Sequence, residues 1–251
     1  MIFITGDIHG EPSRFSVDNF PEQKEMTKND YVIITGDFGL VWNNSKQEKW
    51  WLKWLNKKPF TTLFVDGNHE NFDLLNSYPV IDFCGGKAHQ ISDSIYHLIR
   101  GYVFTIEGKK FFCFGGASSH DIQDGILDPA EYSKEEFKKV YKKLQNNYAM
   151  FRIKGISWWE EEIPSQEEMI KGISSLDENE NKVDFVISHC CPQDVASTMG
   201  FSTPDKLTKY FNDLIFNNKI HFKKWYFGHY HVEKQIFGKF VCLYNNIERI
   251  S

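Results

Sequence analysis

The sequence has few arginines and no long apolar run, and its charge balance is acidic. Only four of the 251 residues are arginine, and the formal net charge is -5. The lysines are interspersed with acids, which predicts no basic stripe of the kind that binds nucleic acid or anionic membrane without specificity. No apolar run approaches the roughly 18 residues that a membrane span needs. We therefore expect no membrane partner and consider nucleic acid disfavoured.

Cysteine is also scarce, and its five positions show no pairing pattern. The spacing never forms Cys-x-x-Cys, which argues against a zinc ribbon and a disulfide framework and fits a reducing compartment. The N-terminus has no basic leader or small-residue cleavage site. We expect free thiols and a cytoplasmic protein, and the sequence leaves its oligomeric state open. The cysteines are Cys84, Cys113, Cys190, Cys191 and Cys242.

Short apolar runs alternate with segments of helical period. A chain of this length can form one domain, so we expect a single domain over 1–251. Strands and helices alternate at both ends, and hairpins are predicted at 102–114 and 235–243, which favours an α/β sandwich with sheets inside and helices outside. The predicted buried strands are Ile2 to Thr5, Tyr31 to Thr35, Thr62 to Val65, Phe185 to Ser188 and Trp225 to Phe227.

Four segments carry an apolar stripe with helical spacing. Two of them begin with capping boxes, Ser133 with Glu136 and Ser165 with Glu168. The polar run 177–182 is predicted to be a solvated loop. The stripes are Trp50, Trp51, Trp54 and Leu55; Phe137, Val140, Tyr141 and Leu144; Met169, Ile170, Ile173 and Leu176; and Leu207, Tyr210, Phe211 and Leu214.

Polar residues follow each of the five predicted strands, and most come directly after a glycine. In an open α/β sheet the carboxyl ends of the strands form the ligand site, and glycine permits close backbone approach there. Five of the nine histidines lie in these segments, a clustering that chance does not easily produce. The segments read GDIHG from Gly6, GDFG from Gly36, GNHE from Gly67, SHCCP from Ser188 and GHYH from Gly228.

These segments offer imidazole nitrogens together with carboxylate and amide oxygens. Such a mixture, with no thiolate required, suits divalent Mn, Fe, Zn or Co. Seven candidate ligands exceed the four of a tetrahedral site, which indicates two ions that share a bridging carboxylate. The candidate ligands are Asp7, His9, Asp37, Asn68, His189, His229 and His231.

In this order, the five segments resemble the calcineurin-like metallophosphoesterase superfamily over positions 6 to 231. Stretches 64–71 and 114–121 further resemble a bacterial and phage-associated branch. The resemblance implies a four-layer α/β/β/α sandwich and a dinuclear metal centre that hydrolyses phosphate esters. It places Asp7, His9 and His231 on one ion and Asn68, His189 and His229 on the other, with Asp37 between them.

The resemblance also implies that a metal-bound hydroxide attacks the phosphate while His69 acts as general acid. Two close divalent ions can lower the pKa of a bound water, so the protein need not supply a base. The leaving alkoxide still needs a proton, which an imidazole can donate.

The chain lacks two arginines with which the protein phosphatases of this superfamily clamp phosphate. Leu40 and Val41 replace the second Asp and the Arg of GDxxDRG, and Asn71 replaces the arginine after GNHE. Bidentate guanidinium contacts usually grip phosphate monoesters, so the phosphoprotein-phosphatase interpretation loses weight. Arg14 is a candidate for reaching the site, although a solvated helix-start arginine is an equal alternative.

Further substrate-binding candidates lie in the middle of the chain. The glycine-rich stretch 115–121, with Ser118 and His120, suits a loop over the phosphate or a plain hairpin exit. Arg152 lies near Trp158 and Trp159, which could stack on a base but which we expect to pack in the core.

Three functions remain: a phosphoesterase acting on a small or peptide-borne ester, a metal-dependent nuclease, and a non-catalytic scaffold. The acidic balance argues against the nuclease. The complete ligand set argues against the scaffold.

Overall fold

The computed structural model describes residues 1–250, which contain two large β-sheets, a two-stranded sheet and six α-helices. The strands are β1 (Ile2–Thr5), β2 (Tyr31–Ile34), β3 (Thr61–Phe64), β4 (Val80–Phe83), β5 (Gly86–Ser92), β6 (Ile95–Leu98), β7 (Tyr102–Ile106), β8 (Lys109–Phe114), β9 (Ile126–Leu127), β10 (Arg152–Ile153), β11 (Phe185–Ser188), β12 (Lys224–Phe227), β13 (Lys234–Ile236), β14 (Phe240–Cys242) and β15 (Ile247–Arg249). The helices are α1 (Lys46–Asn56), α2 (Phe72–Leu75), α3 (Lys134–Asn146), α4 (Gln166–Glu178), α5 (Gln193–Thr198) and α6 (Lys206–Phe216).

The first sheet has the strand order β15-β1-β2-β3-β6-β5-β4, and the second has the order β13-β14-β12-β11-β8-β7. Strands β1, β2 and β3 pair in parallel in the first sheet, and β8, β11 and β12 do so in the second. Each parallel group therefore presents its carboxyl ends at one edge of its sheet.

Three hydrophobic cores separate four layers. The central core joins inward side chains of the two sheets, such as Ile33 and Leu63 with Phe111 and Ile187. A second core packs the outer face of the first sheet against α1 and the segments around it. The third packs the second sheet against α4, α5 and α6. Helices thus cover two face-to-face sheets, which confirms the predicted four-layer α/β/β/α sandwich.

The apolar runs predicted most of this framework. All five strands and both hairpins form within a residue or two of their predicted positions. Both predicted capping boxes form, because the serine hydroxyl accepts from the N3 amide while the glutamate accepts from the N-cap amide.

All four predicted helical segments form, as α1, α3, α4 and α6, but their apolar faces are not buried throughout. Trp50 and Ile170 are more than half exposed, and α3 buries none of its residues although it is amphipathic. The polar run 177–182 is only partly a loop, because α4 continues to Glu178. An apolar stripe shows which face of a helix can be buried, but the width of the neighbouring layer decides how much is covered.

No helix within residues 1–250 combines the length and the hydropathy required to cross a membrane.

Candidate metal centre

The predicted ligands come together where the carboxyl ends of the two sheets meet. Asp7 and His9 follow β1, Asp37 follows β2, and Asn68 follows β3 in the first sheet. The second sheet supplies residues after β11 and β12, namely His189, His229 and His231. Segments that are far apart in the chain therefore build one site between the sheets.

Asp7, His9 and His231 form the outer group. The His9 Nε2 and His231 Nε2 atoms lie 3.0 Å apart, and Asp7 Oδ2 lies 3.2 Å from His231 Nε2. One donor atom from each of the three residues fits within 4.8 Å of the others. Both imidazoles are exposed whereas the carboxylate is buried, so this group faces the opening of the site.

The inner group surrounds His189, which is fully buried. Its Nε2 atom lies 3.3 Å from Asp37 Oδ1 and 3.3 Å from Asn68 Oδ1. Its Nδ1 atom donates to the Thr35 carbonyl at 2.8 Å, which fixes the ring so that Nε2 points into the site. The His229 ring lies 5.0 Å from the His189 ring, centroid to centroid.

Electrostatics at the inner group favour positive charge. Burial would lower the pKa of His189, but the neighbouring Asp37 and Asp7 carboxylates raise it to about 10. Burial raises the pKa of Asp37, but His189 and other imidazoles outweigh it and lower the pKa below its usual range. Burial lowers the pKa of His229 well below its usual value and so keeps its nitrogen lone pair available. Divalent cations bind carboxylates and neutral imidazoles, so an ion at this group would replace the proton that Asp37 and Asp7 favour on His189.

Four predicted ligands have backbone conformations that side chains other than glycine rarely adopt. The φ angles are 44° at His9, 44° at Asp37, 67° at His229 and 51° at His231. Each such residue costs on the order of 1–3 kcal/mol and persists where surrounding structure holds it. Positive φ also occurs at eight other non-glycine residues of the chain, but at these four the side chain is a candidate ligand.

Glycines before the ligands allow the loops to pack against one another. A Cβ atom at Gly228 would lie 1.9 Å from Asp7 Oδ1, and one at Gly67 would lie 2.1 Å from Asp37 Oδ1. Both distances are far inside van der Waals contact. Any larger residue at these positions would displace a candidate ligand, which explains the glycines in the motifs.

Residues that the sequence analysis missed hold Asn68 in place. The Asn68 Nδ2 atom donates to Ser119 Oγ at 3.4 Å, and Ser119 Oγ donates to Glu162 Oε2 at 2.6 Å. The backbone amide of Ser119 also donates to Glu162 Oε1 at 2.9 Å. Because the amide nitrogen of Asn68 faces Ser119, its oxygen faces His189. Glu162 lies 94 positions along the chain from Asn68, so only the fold reveals this contact.

His69 lies beside an arginine at the edge of the centre. The Arg152 Nη2 atom is 3.0 Å from His69 Nε2, while Arg152 Nε donates to Asp121 Oδ1 at 2.6 Å and Nη1 donates to the Ser157 carbonyl at 3.0 Å. The backbone amide of His69 donates to Asp37 Oδ1 at 2.8 Å. Burial lowers the pKa of His69 to about 4, and the charges of Arg152 and nearby imidazoles act in the same direction. The Asp37 carboxylate opposes this shift but does not outweigh it.

The other substrate-binding candidates have different positions. Arg14 donates to the carbonyls of Asp7 and Tyr244 and to Thr5 Oγ1, so its guanidinium supports the loop after β1 instead of pointing at the ligand side chains. The His120 ring lies 4.5 Å from the His229 ring and thus at the centre. The Ser118 side chain makes no hydrogen bond within residues 1–250, in contrast to its neighbour Ser119.

Trp159 is buried, as expected of a core residue, and its Nε1 donates to Asp73 Oδ2 at 2.7 Å. Trp158 is only half-buried and lines a cavity with Trp159, so the predicted core packing holds for one of the two.

The chain is similar in sequence to lariat debranching enzymes. Lariat debranching enzyme A of Xenopus laevis is 28% identical over 56% of this chain and 28% of its own length. Lariat debranching enzyme of Danio rerio is 26% identical over 62% of this chain and 28% of its own length. The matches thus span less than a third of these relatives. A solved Staphylococcus aureus structure, a candidate 5′-nucleotidase, is 15% identical with a TM-score of 0.36 over 97% of this chain and 48% of its own, a likeness too weak to carry an argument.

The family model for calcineurin-like phosphoesterases matches residues 1–233. This range contains every candidate ligand, His69 and Arg152. Members of the family use a dinuclear divalent metal centre. On its motifs, its four-layer fold and this match, the chain belongs to the calcineurin-like phosphoesterase family.

Proposed function

We propose that this chain hydrolyses a phosphate ester at a centre of two divalent ions. The observation that carries the proposal is the position of Asp37 between the two donor groups. Its Oδ1 atom lies 3.3 Å from His189 Nε2, and its Oδ2 atom lies 3.7 Å from His9 Nε2. A carboxylate that faces both groups suits a bridging ligand. Asp7, His9 and His231 would hold one ion, and Asn68, His189 and His229 the other.

The ions, when bound, would activate water and offset the charge of the phosphate. The chain's own residues act on the rest of the substrate. Arg152 is fixed through Nε and Nη1, and its Nη2 atom, 3.0 Å from His69 Nε2, would donate to a phosphate oxygen bound beside His69. His69 would donate the proton that the leaving oxygen takes up. A phosphate oxyanion beside His69 and Arg152 would raise the low pKa of that imidazole and so favour its protonated form.

A phosphodiester fits this centre better than a monoester. Among residues 1–250, Arg152 is the arginine that contacts His69. The two positions that hold arginines in the protein phosphatases are occupied here by Val41 and Asn71. Val41 is buried, and the Asn71 Nδ2 atom donates to the Trp42 carbonyl. A monoester dianion needs more guanidinium contacts than a diester monoanion. The reaction would consume one diester and one water and yield an alcohol and a phosphate monoester.

The similarity of the chain to lariat debranching enzymes is compatible with this proposal. The resemblance of stretches 64–71 and 114–121 to a bacterial and phage-associated branch of the superfamily supports placing the chain in that branch.

Two chromogenic substrates test the proposed function. Purified protein supplied with Mn²⁺ is expected to hydrolyse bis-p-nitrophenyl phosphate with a kcat/KM at least about tenfold above that for p-nitrophenyl phosphate. This ratio corresponds to the loss of one bidentate guanidinium contact to the monoester. Single-stranded DNA serves as the third substrate and tests the nuclease alternative. Faster hydrolysis of the monoester would refute the diester assignment, and hydrolysis of neither chromogenic substrate would refute the proposed function.

A further inference from the structure

A cavity opens from the metal centre on the side of His69. It encloses about 300 Å³, and its wall is formed by His9 and His69 at one end and by Trp42 and Trp51 further out. A separate polar cavity with Arg14 and Tyr244 in its wall lies on the other side of Asp7 and His9. His69 therefore marks the tryptophan-lined cavity as the one next to the departing oxygen. A leaving group that receives its proton from His69 would extend into this cavity.

The tryptophan wall is held rigidly before any ligand arrives. The buried Glu48 carboxylate accepts from the backbone amides of Trp42 and Asn43 at 3.0 and 2.8 Å. The Trp42 ring packs edge-on against the Trp159 ring, with centroids 5.4 Å apart. The Trp51 ring packs edge-on against Trp54 at 5.2 Å. Rings fixed in this way can stack on a ligand with little loss of conformational entropy.

This wall occupies the segment where the chain departs from the protein phosphatases. Leu40 lies in the cavity wall, and Asn71 donates to the Trp42 carbonyl at 2.7 Å. The residues that replace the phosphatase motif at these positions therefore remove positive charge from the site and also order an aromatic surface. Next to the indoles, the Gln47 amide and the Asn43 Nδ2 atom have no hydrogen-bond partner within residues 1–250. Free amide donors and acceptors beside aromatic rings are the groups that read the edge of a base.

We propose that the cavity between His69, Trp42 and Trp51 is a subsite for the nucleobase of a nucleoside leaving group. The proposal rests on the proposed function and narrows its substrate class to phosphodiesters that release a nucleoside. The base stacks on the indoles, while Asn43 and Gln47 meet its polar edge. Its ribose oxygen, on which the P–O bond breaks, takes up the proton from His69.

Matched dinucleotides test the subsite. One carries adenine on the leaving ribose, and the other is its abasic counterpart with the same leaving alcohol. The Mn²⁺-loaded protein is expected to cleave the adenine substrate with kcat/KM about 10- to 100-fold higher, the range that base–aromatic stacking supplies. In Trp42→Leu and Trp51→Leu this ratio is expected to fall towards one. Trp51→Phe, which keeps a ring, is expected to retain part of it.

Phe216→Leu is the control, because Phe216 is an aromatic residue that is 85% exposed and lies outside the cavity wall. This variant is expected to keep the wild-type ratio. An equal kcat/KM for the two dinucleotides in the wild type, or a ratio unchanged in both leucine variants at the cavity, would overturn the subsite. If bis-p-nitrophenyl phosphate is still hydrolysed in that case, the proposed function stands without the subsite. Failure with every substrate would refute both.

A binding measurement provides a readout that does not depend on turnover or on metal. Adenosine added to ¹⁵N-labelled, metal-free protein is expected to shift the indole N–H signals of Trp42 and Trp51 and to leave in place the signal of Trp225, which is buried in another core and donates to Ser188 Oγ. Shifts confined to other tryptophans, or none at millimolar adenosine, would contradict the assignment of the base to this cavity.

Discussion

Replacing Asp37 with Asn is expected to weaken the binding of both metal ions by more than about 100-fold and to reduce hydrolysis accordingly. Loss of a residue that only orients a ligand typically costs 10- to 100-fold in metal affinity, and removal of a shared carboxylate costs more. The fold should survive, because an Asn oxygen at the Oδ1 position can still accept from the His69 amide. Calorimetric titration of metal-free protein with Mn²⁺ measures both affinities.

His9→Ala provides the comparison for Asp37→Asn. His9 lies in the outer group with Asp7 and His231, and its Nε2 atom is 3.7 Å from Asp37 Oδ2. This variant is therefore expected to weaken one ion and to leave the other near its wild-type affinity. Equal and small losses of metal affinity in the two variants would show that Asp37 does not bridge the two ions.

Replacing His69 with Asn is expected to slow turnover by about 10²- to 10⁴-fold while the protein keeps both ions. The loss depends on the leaving group. p-Nitrophenolate is stable without a proton and should be affected least, whereas a ribose alkoxide is strongly basic and should be affected most. Rates for bis-p-nitrophenyl phosphate and for a dinucleotide, measured at fixed metal content, separate these effects.

The same experiment distinguishes proton donation by His69 from a purely structural role. His69 also packs against His9, with ring centroids 5.2 Å apart, so the variant could disturb the outer group. Loss of an ion, or equal rate losses for the two leaving groups, would show that His69 is not the proton donor.

The strand-end motifs predicted the centre because their signal is local. An apolar run followed by glycine and a ligand residue encodes both the strand and the loop at its carboxyl end, as with β1 and Asp7 or β3 and Asn68. The runs alone predicted an α/β sandwich with sheets inside and helices outside, and the clustering of the seven candidate ligands at the strand ends. The four-layer arrangement was predicted from the resemblance of the motifs to a known family, and not from the runs.

Contacts between distant segments were not predictable in this way. The bond from Ser119 to Glu162 joins a loop after β8 to a 3₁₀-helix at Glu160–Glu162, and no periodicity in the sequence pairs them. The same is true of Arg152 and His69, which are 83 positions apart. Arg152 was a substrate-binding candidate only because two tryptophans lie near it in the sequence, whereas the tryptophans that line the cavity by His69 are Trp42 and Trp51.

The acidic balance and the proposed nucleoside subsite would together favour a short substrate. A net charge of -5 disfavours binding that depends on many phosphate contacts along a polymer. One base in a cavity of about 300 Å³ needs no such contacts. The expectation that nucleic acid is disfavoured stays a prediction, and it applies to long strands more than to short nucleotide diesters.

Metal content per chain tests the central claim most directly. Protein prepared without chelator from Mn²⁺-supplemented cells is subjected to elemental analysis, with protein concentration from amino-acid analysis, before and after exhaustive chelation. We expect two transition-metal ions per chain before chelation, loss of bis-p-nitrophenyl phosphate hydrolysis when they are removed, and recovery when two equivalents are returned. A content of one ion or none, or hydrolysis that persists in the stripped protein, would contradict a two-ion centre built on Asp37.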